Sequence, residues 1–234
     1  MTRLQQIQSG AGSQTIALFL LDGLANVVDF AFHFWMGRVL IPSEFAILQT
    51  LNSVALVYTT ASGVFQPVVS RYIAEARGKA QPSLIPAIFQ SFLRAAFWLG
   101  LILAGLVFLF ATGIAQLLNL PVWTIQVSAM LVFLGTIRPI AIGALQGEER
   151  FFAFGFTRLA LSLGRILLVF VLVQAGLGLT SAVIALPFGW LVSVLCAIFL
   201  LGKPFWAVNS STPQTPLREG WGLSFYALLA YLAY

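Results

Sequence analysis

TIALFLLDGLANVVDFAFHFW, from Thr15 to Trp35, is the stretch that decides the fold. A bilayer core about 30 Å thick needs roughly 20 helical residues, and this run is that long and mostly apolar. It nevertheless carries Asp22, Asn26, Asp29 and His33. A charged side chain at the centre of a span costs from about 2.5 kcal/mol upward, so each of these needs a physical reason. Their steps of four, three and four put all of them on one face of an α-helix. Asp22 and Asp29 then stand about 10 Å apart along the axis and bracket mid-depth. Such a stripe serves either a water-filled cavity or polar contact between helices, and the cavity is the expectation. The run is too long for a signal-peptide core and carries two acids, so it is expected to remain as the first helix.

Five more runs of the same kind follow: Phe45–Val69, Ala87–Phe110, Val122–Ala144, Thr157–Leu177 and Ser181–Leu201. With 60% of all residues hydrophobic and 8% charged, the chain has too little polar surface to face water. Spans in lipid must satisfy their own backbone, which forces helices. The predicted fold is an all-α membrane protein whose six complete transmembrane helices form one lobe, residues 1–201. A polar, Pro/Ser/Thr-rich linker covers 202–218, and a seventh apolar run opens at 219–234. A six-helix lobe followed by the start of another span suggests a duplicated protein of which this is the first half.

Loop charges orient the helices. Arg3, Arg71, Arg77, Lys79, Arg150, Lys203 and Arg218 fall on one side of the alternating spans, against Arg38 alone on the other. The positive-inside bias therefore places both ends of the lobe in the cytoplasm. The same bias accounts for the net charge of +5 without nucleic acid, for which no basic cluster or zinc-finger spacing exists. Cys196 has no partner cysteine, and His33 and the acids show no metal-ligand spacing. No cofactor is expected beyond a coupling proton or sodium ion.

Three arginines interrupt the later runs: Arg94, Arg138 and Arg165. By the loop topology all three lie in the cytoplasmic half, below the acids of the first helix. Arg94 is near enough to its helix start to snorkel to headgroups. Arg138 and Arg165 are deeper and are expected to line a cavity, with Arg158 and Ser162 on the Arg165 face. A guanidinium chamber suits phosphate or pyrophosphate, which Arg binds bidentately. A weaker stripe at heptad spacing, Asn52, Thr59 and Gln66, lies on the second helix, where Gly63 and Pro67 permit a kink or close packing. Small polar residues of this kind serve cavity lining or ordinary helix packing.

GRVLIPSEFAILQTL (Gly37–Leu51) resembles the R-x-L-x-P-x-E-F segment of bacterial O-antigen-type oligosaccharide flippases. Those proteins share a superfamily with the multidrug and toxin exporters. GVFQPVVSRYIAEARGK (Gly63–Lys79) and ALQGEERFFAFGFTRLALSLGRILLVFVLVQAGLG (Ala144–Gly178) are similar to the same family. The order and spacing of the three segments, over roughly residues 13–201, carry the resemblance. It implies two six-helix lobes around a central cavity with alternating access, of which this chain supplies the N-terminal one. It implies a bacterial inner-membrane transporter that moves a polyprenyl-pyrophosphate-linked oligosaccharide between leaflets, with membrane lipid as its surroundings. Arginines lining the cavity are a theme of the family, and Arg138 and Arg165 are the candidates here. A cation antiporter of the same superfamily would favour acids and aromatics over arginine. A membrane glycosyltransferase, polymerase or ligase would carry acids or a His in substantial loops, whereas these loops are short. A non-catalytic scaffold would not need the stripe on the first helix.

Overall fold

The computed structural model describes residues 3–202 and Phe205, with side chains described from Ile16 onward. Among these residues are eight α-helices and no strand. They are α1 (Arg3–Val39), α2 (Pro42–Ser62), α3 (Phe65–Gly78), α4 (Ile85–Leu109), α5 (Ala111–Leu118), α6 (Val122–Gly147), α7 (Phe151–Gln174) and α8 (Gly178–Leu201). A short 3-10 turn, Pro82–Leu84, leads into α4. The expected linker and the start of the seventh run lie outside the described residues, apart from Gly202 and Phe205.

Five helices are long and apolar enough to cross a membrane: Ile16–Val39 of α1, Pro82–Leu109, α6, α7 and α8. The remaining expected span, Phe45–Val69, is not one helix. It breaks at Gly63–Val64 into α2 and α3. Pro67 has no N–H to offer the Gly63 carbonyl, which instead accepts from the Gln66 N–H in a tighter turn at 3.1 Å. The sequence permitted a kink or close packing here within one span, and the outcome is a full interruption. The second departure is α5, which fills what the sequence presented as a loop. It packs Ala111 and Ala115 inward and ends at Asn119 in a left-handed conformation.

The helices run in consistent directions. α1 and α7 are parallel, since Asp22 faces Arg158 and Asp29 faces Arg165 at one constant offset. One end of the bundle gathers the predicted basic loops. Arg77, near the end of α3, pairs with Glu149 in the α6–α7 turn at 3.4 Å, and Arg150 donates to the Leu201 carbonyl at the end of α8. The end of α3, the α6–α7 turn and the end of α8 are thereby joined at one face.

α6 is the most enclosed of the five candidate spans. Two small residues on it, Gly143 and Gly147, let α3 approach backbone to backbone. A Cβ at Gly143 would stand 2.6 Å from the Gln66 carbonyl oxygen, and one at Gly147 would stand 2.7 Å from that of Ser70. In lipid, where apolar side chains gain little by leaving apolar surroundings, such close contact is what holds helices together. Val69, Ile73, Phe89, Ile140 and Leu145 fill the space around this crossing.

Candidate functional site

The α1 stripe lies on the border between the packed and open faces of its helix. Ala25, Phe32 and Met36 are buried on one side, while Val27, Phe30 and Phe34 are exposed on the other. Across the border stands α7. Gly155 there admits Leu18 and Leu21 of α1, bringing the two helices close enough for side chains to pair.

Two polar rungs join them. At the first, Arg158 donates to Asn26 Oδ1 at 2.8 Å, and its other terminal nitrogen lies 3.7 Å from Asp22 Oδ1. This rung is open, with the Arg158 side chain 47% exposed. At the second, Arg165 forms a hydrogen-bonded ion pair with Asp29. Here the arginine side chain is only 9% exposed, and its guanidinium lies 4.4 Å from the centre of the Phe32 ring. The cation is thus held by a carboxylate and an aromatic face together. Its Nε is buried without a hydrogen-bond partner, as is Nδ1 of His33, one turn beyond Asp29.

Arg165 is deeper than the sequence suggested. α7 begins at Phe151 rather than near Thr157, which puts Arg165 fourteen residues into the helix, roughly 21 Å along it. It is therefore level with Asp29 instead of in a separate layer beneath it. The acids and arginines expected to occupy two depths face each other directly.

Arg138 joins from α6. Its Nε donates to Ser193 Oγ on α8 at 3.0 Å, and its guanidinium lies 5.6 Å from the Trp190 ring centre. One turn before Ser193, Gly189 lets Arg165 pack against α8; a Cβ there would be 3.1 Å from that of Arg165. The two arginines thus reach the same part of α8 from α6 and from α7. Among the described residues no carboxylate forms an ion pair with Arg138.

The other predicted residues are placed differently. Arg94 is exposed and donates to its own helix, at the Gln90 carbonyl. It shares the outward face of α4 with the exposed Phe97, Trp98, Leu101 and Ile102. The Asn52–Thr59–Gln66 stripe is divided by the α2–α3 break. Thr59 donates to its own helix and lines a small cleft between α2 and α6, while Gln66 donates to Gln146 of α6 at 2.9 Å. Asn52 keeps a buried amide nitrogen without a partner. Arg158 belongs to the site but was visible in sequence only as a neighbour on the Arg165 face; its pairing with the α1 stripe is a matter of tertiary contact. Among the described residues no group of three or more His, Cys, Asp or Glu is placed to hold a metal ion.

The family model described as polysaccharide biosynthesis protein matches residues 11–233, almost the entire sequence. The chain belongs to this family. Solved structures show the same fold at low identity. One is an outward-facing multidrug resistance MATE family transporter of the MOP superfamily, at 15% identity and a TM-score of 0.77, covering 93% of this chain and 51% of that one. Another is a MOP superfamily transporter from Pyrococcus furiosus, described as having a binding pocket of reverse polarity, at 16% identity and a TM-score of 0.77, with the same coverage. A third is a MATE protein in complex with MaD5, at 14% identity and a TM-score of 0.77, covering 93% and 52%. The chain spans about half the length of these structures. No curated protein matches it significantly. The family fold is therefore that of a multi-pass membrane protein.

Proposed function

We propose that this chain is the first lobe of a two-lobe flippase that moves a polyprenyl-pyrophosphate-linked oligosaccharide from the cytoplasmic to the outer leaflet, for cell-surface polysaccharide assembly. The observation that carries this reading is Arg138. A guanidinium within a membrane-crossing helix, held by a hydroxyl and an indole ring and paired with no carboxylate among the described residues, is costly unless an anion comes to it. Arg158 and Arg165 lie on the adjacent helix, so three cations stand against the two acids of α1. That excess favours an anionic cargo over the cationic drugs of a multidrug antiporter, whose carboxylates would need to be free. Membership of the polysaccharide biosynthesis family supports the sugar-linked lipid as that cargo.

In this reading α2 and α3 form one interrupted crossing, giving six, with the basic loop end in the cytoplasm of a bacterial inner membrane. The second six-helix lobe closes the open face of α1. Asp29, with His33 one turn away, is the group that exchanges a coupling proton or sodium ion as Arg165 turns from it to the pyrophosphate. The protein moves its substrate and breaks no bond in it.

The test is translocation of a fluorescent polyprenyl-pyrophosphate oligosaccharide across proteoliposomes carrying the full gene product. Movement that depends on the protein and falls on replacing Arg138 by Gln is expected. Transport of cationic dyes with no movement of the lipid-linked sugar would overturn the assignment in favour of the antiporter.

A further inference from the structure

A cavity of about 270 Å³ lies where α3, the 3-10 turn and the start of α4 meet. It is separate from the α1–α7 seam and is lined by none of its residues. Arg71, Glu75 and Lys79 follow one another at intervals of four, which puts them on a single face of α3, and all three line the cavity. Lys79 Nζ donates to Glu75 Oε1 at 2.6 Å, and this bond with its charge holds the Glu75 carboxyl below its ordinary range. Arg71 donates no hydrogen bond among the described residues, so its five donors remain available. Two cations against one acid leave the rim with one net positive charge.

The use of the basic residues of α3 is divided. Arg77 is engaged in structure, joined to the Glu148 carbonyl and the Glu149 carboxylate of the α6–α7 turn. Arg71 and Lys79 point to the cavity instead. The opposite wall is apolar, made by Leu84 and Ile88. Both belong to Pro82–Leu109, one of the segments long and apolar enough to cross a membrane. The cavity therefore has a cationic rim at the basic loop end of the bundle and an apolar wall, Leu84 and the largely buried Ile88, at the start of a membrane-crossing helix. A soluble anion would use only the rim, whereas an amphiphile with a phosphate head would use both.

We propose that this cavity binds the phosphate group of an anionic phospholipid, with Arg71 and Lys79 on the phosphate and Leu84 and Ile88 against the upper acyl chain. Glu75 sets the strength of binding by competing with the phosphate for Lys79. Basic residues near a membrane surface each favour anionic lipid, which makes the pair sufficient for selectivity.

The experiment is native mass spectrometry of the purified full gene product in detergent, titrated separately with phosphatidylglycerol, phosphatidylcholine and inorganic phosphate. Phosphatidylglycerol is expected to be retained in preference to phosphatidylcholine. The Arg71→Gln/Lys79→Gln variant should weaken that retention about tenfold or more, as removal of two cation–phosphate contacts implies. Arg77→Gln should leave it unchanged, and Glu75→Gln should strengthen it several-fold. Gln81→Trp puts a bulky ring into the lining of the cavity with both cations intact and should also weaken retention, so the site stays testable even if the double variant folds poorly. Binding of inorganic phosphate as tight as that of the lipid would assign the cavity to a soluble anion and overturn the lipid reading. Equal retention of phosphatidylglycerol by wild type, the double variant and Gln81→Trp would remove the site altogether.

Discussion

The α3–α6 crossing and the α1–α7 seam solve the same problem by opposite means. Both join helices where lipid gives little reward for apolar burial. The first does it with absent side chains: Gly143 and Gly147 bring backbones together, and Val69, Ile73, Ile140 and Leu145 fill the space around them. The second does it with charge, and it is left unfinished. Arg165 Nε and His33 Nδ1 are buried without partners, and Asp29 remains about a third exposed. A finished contact resists change, while one with spare donors and an accessible carboxylate can exchange partners. Under the proposed function, the charged seam is where partners would exchange and the glycine crossing is what stays rigid.

The sharpest way to break this contrast is at Gly143. A methyl group there meets the Gln66 carbonyl oxygen and backbone carbons, which cannot swing aside as a side chain would. Overpacking of this kind costs typically about 1–3 kcal/mol. Gly143→Ala should lower the thermal midpoint clearly in detergent, read by fluorescence-detected size exclusion after heating. Gly23→Ala is the control. Nothing lies within 4 Å of its added methyl, and a helix-interior Gly→Ala change there should be neutral or mildly stabilising. Equal losses at the two sites would mean the crossing is no tighter than the open face of α1.

At the seam the expected effect on stability is of similar size, and the effect on function larger than stability explains. Removing one partner of a buried ion pair costs about 3–5 kcal/mol, and less here because Asp29 is partly exposed. Arg165→Gln should therefore destabilise moderately, and Arg165→Gln with Asp29→Asn should recover most of the loss. Substrate translocation by the full gene product should not recover in the double variant. Recovery of both properties together would make the pair simple helix glue, of the same kind as the glycine crossing.

Arg138 comes next. Its partners are a hydroxyl and an indole, so Arg138→Gln leaves no carboxylate stranded. The amount of folded protein should stay close to wild type while translocation falls steeply, and Arg138→Lys should keep part of the activity because the charge remains without the bidentate fork. Loss of protein from the membrane in both variants would show that Arg138 holds α6 to α8 and does nothing else.

What the sequence made legible follows from where the information resides. The spans α4, α6, α7 and α8 could be read because length and hydropathy are local properties. The α1 stripe could be read because its spacing is helical and its cost in lipid is high. The break at Gly63–Val64 was visible only as an allowance, since Gly63 and Pro67 permit a kink without fixing its size. Helix α5 was missed because eight residues between two spans are too few for length to signal a separate helix. The pairing of α1 with α7 was beyond reach. Asp29 and Arg165 are 136 residues apart, and which helices meet is a tertiary matter. An error of six residues in the start of α7 also placed Arg165 too shallow, which separated in depth what the fold puts side by side.

The smallest expected effect distinguishes the two rungs of the seam from each other. Asp22 stands 3.7 Å from Arg158, beyond hydrogen-bond reach, and Arg158 is already bonded to Asn26. Asp22 Oδ1 is buried without a hydrogen-bond partner, but the arginine is 47% exposed, so the attraction is screened from the arginine side. Pairs of this sort contribute about 0–1 kcal/mol. Asp22→Asn preserves the shape and leaves Arg158 its amide partner, so it should shift the thermal midpoint little and slow translocation only modestly. Asp29→Asn removes the charge that faces the enclosed Arg165, and with it the group able to exchange an ion. It should leave folded protein in the membrane and abolish ion-driven transport. The two variants should be measured side by side, for stability and for transport with and without an ion gradient. If Asp22→Asn lost as much transport as Asp29→Asn, depth and enclosure would not be what makes the second rung functional. The whole α1 stripe would then have to act as one unit.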